Sequence, residues 1–305
     1  MKISRKYNKY HVLTAFLFLL PTAVIVLGYS YYPALRAIWG SFTRWDGFND
    51  PQFVGFANYT ALFRDRIFLI SLRNVFYWSA GTLVVILVAP FIGAELIFHL
   101  KTERAQYLYR VLFVLPLVVP AVVTVLIWTF IYEPSIGLLN RLLVDFFKIN
   151  RELIPNWLGD SRFVIPSLIF IGFPWISGMN LLIFYSGLQD IPTDVIEYSH
   201  LDGCTGLARI FRIDIPLITG QIRLLLILGI IGTLQNLTVP LLMTGGGPGY
   251  DSYVPGLYMY FLAFRTSNFG MAFTIATVMF VIIFILTLIS RTGSSTKMKR
   301  ERGEI

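Results

Sequence analysis

The chain has 305 residues, of which 56% are hydrophobic and only 14% charged, and it carries a net charge of +8. Soluble domains run near a quarter charged, so this composition excludes an ordinary water-soluble globule and fits a chain of about six membrane helices at ~20 residues per span. The positive charge matches the enrichment of Lys and Arg on the cytoplasmic side of membrane proteins. It does not accompany the aromatic-basic patches of a nucleic-acid binder.

The N-terminal stretch combines a basic start (Lys2, Arg5, Lys6, Lys9) with a long apolar run. The run is too long and too aromatic at its end for a signal peptide and offers no small-residue cleavage site, so a retained first span is expected over about 12–32. Further spans are expected at about 74–98, 108–132, 163–186, 217–243 and 270–290, in one domain covering 1–305. Prolines recur within them (Pro21, Pro90, Pro116, Pro120, Pro174, Pro240). Membrane helices tolerate such breaks because neighbouring groups re-satisfy the freed backbone. An even number of spans puts both termini on one side. The basic tail (Arg291, Lys297, Lys299, Arg300, Arg302) marks that side as the cytoplasm. The fold class expected is all-α, a polytopic helix bundle in a bacterial cytoplasmic membrane.

Few residues have the makings of chemistry. The single cysteine, Cys204, excludes an internal disulfide, and His11, His99 and His200 share no metal-ligand spacing. No cofactor, metal or catalytic residue is expected. "TGGGPG" (244–249) lacks the lysine of a phosphate loop and reads as a flexible turn, and "GSSTK" (293–297) has the wrong order. Glu95 is the one acid near membrane depth, and its neighbours His99 and Lys101 favour an interfacial place. Polar groups at depth must face the interior or water. Asn180, Thr233, Gln235 and Asn236 are therefore candidates for binding hydroxyls, with Trp175 as a stacking face. Interhelical hydrogen bonding explains each of the polar four equally well.

The stretch "IPTDVIEYSHLDGCTGLARIFRIDIP" (191–216) is one that a bilayer would refuse. Thr193 is placed to cap a first short helix, with Asp194 and Glu197 early, where the helix dipole favours acids. Asp202-Gly203 is a stop signal. Thr205 is placed to cap a second helix carrying Arg209 and Arg212 late, and Pro216 ends it. The expected object is a two-helix knob on the cytoplasmic face.

Here a resemblance becomes specific. The chain has Gly187, Leu188, Gln189, Ile191, Pro192, Glu197, Asp202, Gly203, Ile213 and Pro216 at the spacings of G-L-Q-x-I-P-x-x-x-x-E-A-A-x-x-D-G-A followed by I-x-L-P. This resembles the coupling motif of ABC importer permeases of the carbohydrate (maltose/glycerol-phosphate) type. It departs at Tyr198, Ser199 and Cys204, where alanine is usual, and at Ile215, where leucine is usual. "FVGFANYTALF" (53–63), "LFVLPLVVPAVVTVLIWTFIYEPSIGLLN" (112–140), "TGGGPGYDS" (244–252) and "YFLAFRTSNFGMAFTIATVMF" (260–280) extend the likeness over nearly the whole chain. The resemblance implies a type I importer fold and a non-enzymatic permease for a sugar or sugar-like solute. Its partners would be a second homologous permease, two ATP-binding subunits that hydrolyse ATP, and an extracytoplasmic solute-binding protein. It makes Glu197, Asp202, Gly203, Ile213 and Pro216 ATPase-coupling residues, with Gly203 allowing a sharp turn and close backbone approach and Asp202 bracing that turn. It also makes Gly172, Trp175, Thr233 and Asn236 substrate-path positions, of which Gly172 and Asn236 keep the residue type of the maltose-type members. A stand-alone secondary carrier is the alternative, but it would need a buried ion site and usually inverted repeats, and neither is evident.

Overall fold

The computed structural model describes residues 9–292. The basic residues at 2, 5 and 6, those at 297–302 and the GSSTK stretch lie outside the described residues. In chain order the elements are α1 (Lys9–Val26), α2 (Tyr32–Gly40), β1 (Thr43–Arg44), β2 (Gln52–Phe53), α3 (Ala57–Leu62), α4 (Arg66–Phe98), α5 (Glu103–Val114), α6 (Ala121–Ile131), α7 (Leu138–Arg141), α8 (Val164–Phe170), α9 (Gly178–Gln189), α10 (Thr193–Leu201), α11 (Leu207–Arg209), α12 (Ile215–Leu217), α13 (Thr219–Leu234), α14 (Thr238–Met243), α15 (Pro255–Phe264) and α16 (Phe269–Thr292). The all-α expectation holds, with β1 and β2 forming one short antiparallel ladder.

Contacts divide the chain into two units. The first joins residues up to Arg64 with Met259–Val278. Here α1 runs through a π turn (Leu27–Tyr31) into α2. Asn58 donates to the carbonyls of Ser41 (2.9 Å) and Thr43 (2.8 Å), and the Thr274 hydroxyl donates to Ser41 O at 3.1 Å. These bonds satisfy backbone groups that the short ladder leaves unpaired, as burial requires. Trp45 stacks on Phe273 with ring centroids 5.9 Å apart.

The second unit comprises Asp65–Tyr258 with the chain from Met279 on. Its axis is α4, against which α8, α9 and α13 pack. Asp65 starts α4 by accepting from the amides of Ile67 (2.7 Å) and Phe68 (3.4 Å), and the Tyr258 hydroxyl donates to its other oxygen at 2.5 Å. A core of Ala94, Ile97, Leu181, Phe184, Leu188, Ile218 and Leu225 fills the seam between α4, α9 and α13.

The apolar segments are less straight than hydropathy implies. Three helical stretches, Phe16–Gly40, Arg66–Phe98 and Phe269–Ser290, are long and apolar enough to cross a membrane unbroken. The third expected span turns by 88° between α5, with its 3-10 extension to Val118, and α6, at Pro116 and Pro120. The fifth ends at Leu234 and resumes as α14 after three residues. The fourth, 163–186, is divided by an irregular stretch at 171–177 into α8 and α9. Neither piece alone reaches the ~20 residues that a span needs. Within that stretch Gly172 (φ +82) and Trp175 (φ +60) adopt left-handed backbone, and the Phe173–Pro174 peptide is cis. Gly178 then starts α9, and a Cβ there would come within 2.5 Å of the Phe113 carbonyl oxygen.

The 244–252 turn is closed by hydrogen bonds. Buried Ser252 donates to Gly247 O at 2.6 Å, and its hydroxyl meets that of Thr244 at 2.7 Å. Asn74 of α4, 2% exposed, holds the following segment by donating to the carbonyls of Tyr250 (2.8 Å) and Tyr253 (3.1 Å). Replacing Asn74 by Leu strips both carbonyls of their donor, a loss of about 1–3 kcal/mol. The thermal midpoint of the detergent-solubilised protein, read by scanning fluorimetry, should fall by roughly 3–10 °C. An unchanged midpoint would show that this tie carries no stability.

Candidate functional site

The polar connection between α9 and α13 is built as two short helical arms. Pro192, not Thr193, is the N-cap of α10; its φ of −57° and ψ of 137° set the entry without a side-chain bond. Asp194 lies in the first turn as expected. The end of α10 is a Schellman motif: Gly203 N–H donates to His200 O at 3.1 Å and Cys204 N–H to Ser199 O at 2.8 Å. Gly203 sits at φ +69, where only glycine is at ease. A Cβ at 203 would meet nothing within 4 Å. The requirement is therefore the backbone conformation, and the expected close approach at Gly203 is not made by this chain. Nor does Asp202 brace the turn with its side chain: it is exposed and makes no hydrogen bond among the described residues, so the motif is held by backbone bonds alone.

The second arm starts at Gly206 (φ +57), not at a Thr205 cap. It continues from Leu207 through a π turn (Ile210–Asp214) to Leu217 and meets α13 at a 71° bend.

The two faces of this knob differ. Its base belongs to the core: Ile191 is 6% exposed, Val195 and Ile196 pack against the core cluster, and buried Ser199 donates to Ile196 O at 2.7 Å. Its outer face exposes Tyr198 (68%), Leu201 (81%), Leu207 (73%) and Phe211 (67%). Glu197, Asp202, Gly203 and Pro216 are exposed with them, and Ile213 is half-buried. Sequence reading fixed on the motif residues and missed the four apolar ones. The pairs Tyr198–Leu201 and Leu207–Phe211, spaced three and four apart, are the helical signal that could have found them. The structure also explains two departures from the motif. Position 199 is buried and takes only a small side chain, whereas position 198 opens outward and has room for Tyr.

Two charged residues are buried. Arg209 is 5% exposed, and its Nε lies 3.3 Å from Oδ1 of fully buried Asp214. Glu95 is 4% exposed, and His99 Nδ1 lies 3.5 Å from its carboxylate.

The substrate-path candidates fall on the two helix breaks. Gly172 and Trp175 share a backbone bond of 2.7 Å, and Thr233 and Asn236 share one of 3.2 Å; no hydrogen bond joins the two pairs among the described residues. The Trp175 indole donates to Ile169 O at 3.1 Å, and its ring meets Phe170 and Phe173 edge to face. Trp175 also borders a cavity of about 640 Å³ whose other walls, among them Val88, Ile92, Phe113 and Ile176, are apolar. Asn180 donates to Ile86 O at 3.2 Å and the Thr233 hydroxyl to Gly229 O at 2.8 Å, so both spend a donor on the scaffold. Asn236 accepts from Val239 N–H at 3.3 Å and keeps its amide N–H groups free, and exposed Gln235 is free at both ends. The His/Cys/Asp/Glu groupings among the described residues offer no metal site.

Comparison with known proteins places these features. Residues 86–298 match the family described as "Binding-protein-dependent transport system inner membrane component". The chain is 30% identical to the probable ABC transporter permease protein YurN of Bacillus subtilis (strain 168), over 90% of this chain and 93% of that protein. It is also 30% identical to the diacetylchitobiose uptake system permease protein NgcF of Streptomyces coelicolor, over 88% and 77%. Among solved structures, a chain of a bacterial alginate ABC transporter, in complex with its alginate pentasaccharide-bound periplasmic protein, superposes with a TM-score of 0.80 at 20% identity, covering 92% of this chain and 93% of that one.

The Schellman turn generates its own test. Gly203→Ala forces a side chain into left-handed backbone at a cost of about 1–2 kcal/mol. Hydrogen exchange of the Cys204 amide should accelerate roughly tenfold, while that of α9 stays as it was. Equal exchange in both proteins would mean that the turn does not depend on glycine.

Proposed function

Because the chain belongs to the family of binding-protein-dependent transport system inner membrane components, we propose that it is the permease subunit of an ABC importer for a sugar or sugar-like solute. Its 190–217 knob then docks on an ATP-hydrolysing partner. The single observation that carries this reading is the knob itself: a turn closed by backbone bonds at Gly203, a base sunk in the helix core, and an outer face of four large apolar side chains on a segment too charged for lipid. Each such side chain gains about 1.5–3 kcal/mol on burial, which suits it to a groove on another subunit. Clusters of this kind, with aromatic anchors, dominate interface energetics.

In this reading the knob and both termini are cytoplasmic. Glu197, Asp202 and Gly203 lie at the rim of the contact, and Ile213 and Pro216 join the second arm to the span behind it. ATP is hydrolysed on separate chains, in keeping with the absence of a phosphate-loop sequence here. A second permease completes the translocation path, and an extracytoplasmic binding protein delivers the solute. Closure of the ATPase pair moves the knob, and the bundle changes from inward- to outward-facing. Membrane helices move in this way about packed interfaces.

The diacetylchitobiose and alginate transporters among the relatives support a carbohydrate as the solute. Gln235 and Asn236 are the residues best suited to hydroxyl recognition, since they keep free amide groups at a helix break. Trp175 offers an aromatic surface at the other break. Asn180 and Thr233 serve the scaffold first, and Gly172 provides the left-handed turn that presents Trp175.

The test uses the complex expressed with its neighbouring transport genes. Leu201→Asp combined with Phe211→Asp alters only exposed positions, so the chain should remain in the membrane with its second permease. Co-purification of the ATPase and ATP-dependent uptake should each fall about tenfold or more. Gly203→Asp should produce the same loss. Undiminished co-purification and uptake would overturn the docking reading, and uptake into vesicles without ATP would favour the secondary carrier.

A further inference from the structure

Glu95, Arg209 and Asp214 form a buried charge cluster that the docking reading does not use. Their exposures are 4%, 5% and 0%. Glu95 lies near the C-terminal end of α4, and Arg209 and Asp214 lie on the second arm of the knob. Arg209 Nε is 3.3 Å from Asp214 Oδ1, and its guanidinium carbon is 5.6 Å from the centre of the Phe98 ring, one turn beyond Glu95 on α4. Glu95 stands one turn before Phe98 on α4, so Glu95 and the Arg209–Asp214 pair share this end of the helix. His99, one turn on from Glu95, bonds through Nδ1 to the Glu95 carbonyl at 2.8 Å.

The local backbone is built for this pair. Positions five apart diverge on an α-helix but nearly align on a π turn. The Ile215 N–H to Ile210 O bond closes such a turn, so Arg209 and Asp214 are brought side by side. Single π turns inside helices recur at functional sites. The cluster is also incompletely satisfied: both Glu95 carboxylate oxygens, Arg209 Nη2 and Asp214 Oδ2 are buried without a hydrogen-bond partner among the described residues. Apolar side chains of the same volume would commonly hold such a seam as well or better. Stability alone is therefore a poor reason for three charges here. What a charged seam adds is register, because sliding one wall past the other carries the Arg209–Asp214 pair off the Phe98 ring and away from Glu95 inside a medium of low dielectric.

We propose that Glu95, Arg209 and Asp214 are positioning residues that latch the second arm of the knob to the end of α4, so that a push on the knob moves the long helix with it. The inference rests on the reading of the knob as the ATPase-docking element.

Its test is made on the whole complex in lipid nanodiscs and proteoliposomes. The triple variant Glu95→Gln, Arg209→Met, Asp214→Asn removes all three charges at similar volume and leaves no unpaired charge behind. It should still co-purify with the ATPase, while ATP consumed per solute imported rises about tenfold. Arg209→Lys, which keeps the charge, should lie between the wild type and Arg209→Met. A triple variant that imports at the wild-type ATP ratio overturns the latch and leaves the docking reading intact. Loss of the ATPase from the unmodified complex sinks the docking reading and the latch with it. The second measurement does not depend on the triple variant folding. Spin labels at Leu96 and Arg212, both exposed, in a Cys204→Ser background should keep their separation to within ~2 Å between nucleotide-free and ATP-bound complexes, the scale of a packed-helix adjustment. A larger change shows that the arm and α4 move separately, and overturns the proposal.

Discussion

The seam where α4, α9 and α13 meet is what the rest of the second unit depends on. Lipid is as apolar as Leu, so burying Leu181, Phe184 and Ile218 gains little from the hydrophobic effect within the membrane. Close packing has to supply the attraction, and small residues make it possible. Gly93 faces Leu181, with 3.1 Å left for a Cβ, and Gly187 and Gly229 lie under Gln221 and under Leu83 and Ile86, where a Cβ would fall within 3 Å. The same seam extends past the helices into the knob, because Ile191, Val195 and Ile196 belong to it. The turn at Gly203 is therefore held at the end of a packed body and not at the tip of a loose loop. Without that anchor the exposed apolar face could be displaced without moving anything else.

Much of this was legible in the sequence, and the failures have physical causes. Hydropathy located the apolar segments because lipid imposes the same demand on every residue of a span. It could not see the 88° bend after Val118 or the irregular stretch at 171–177, because apolar side chains fit a bent segment as well as a straight one. The prolines at 116, 120 and 174 marked the places, yet Pro21 and Pro90 lie inside unbroken helices. A proline frees one backbone donor; whether the helix breaks depends on which neighbours can absorb the change.

In the knob, the stop at Gly203 was readable because the left-handed position is a demand on one residue alone. The start of the second arm was not. Thr205 and Gly206 both carry a helix-start signal, and only the path of the chain decides between them. The burial of Arg209 was not legible, because a charged residue beside other charges is normally solvated. Its burial follows from Asp214, whose alignment depends on a π turn that no periodicity in the sequence announces. The burial of Glu95 was not legible either, since the arm that carries Arg209 and Asp214 lies more than a hundred residues further along the chain. Only the four outer apolar residues had a usable signal, a spacing of three and four, and it was masked by the motif residues between them.

The polar residues of the spans divide by where their hydrogen bonds go. A donor in a membrane helix that has a carbonyl one turn back, as Thr233 has at Gly229, is satisfied without any partner and adds nothing to recognition. Asn180 reaches across to Ile86 and ties α9 to α4, which fixes the far side of the break that contains Trp175. Gln235 and Asn236 stand where α13 stops: their backbone N–H groups still bond to Ile231 O and Thr233 O, each at 3.2 Å, but their side-chain N–H groups have no partner among the described residues. A helix that ends inside a membrane protein must present unpaired groups to something. At 234–238 that demand is only partly met by the Asn236 bond to Val239, and the remaining amide groups are what a polar solute could use. The breaks that interrupt the helices and the residues proposed to recognise a solute are thus products of one constraint: in a low-dielectric medium, polar groups gather where the backbone has already been opened.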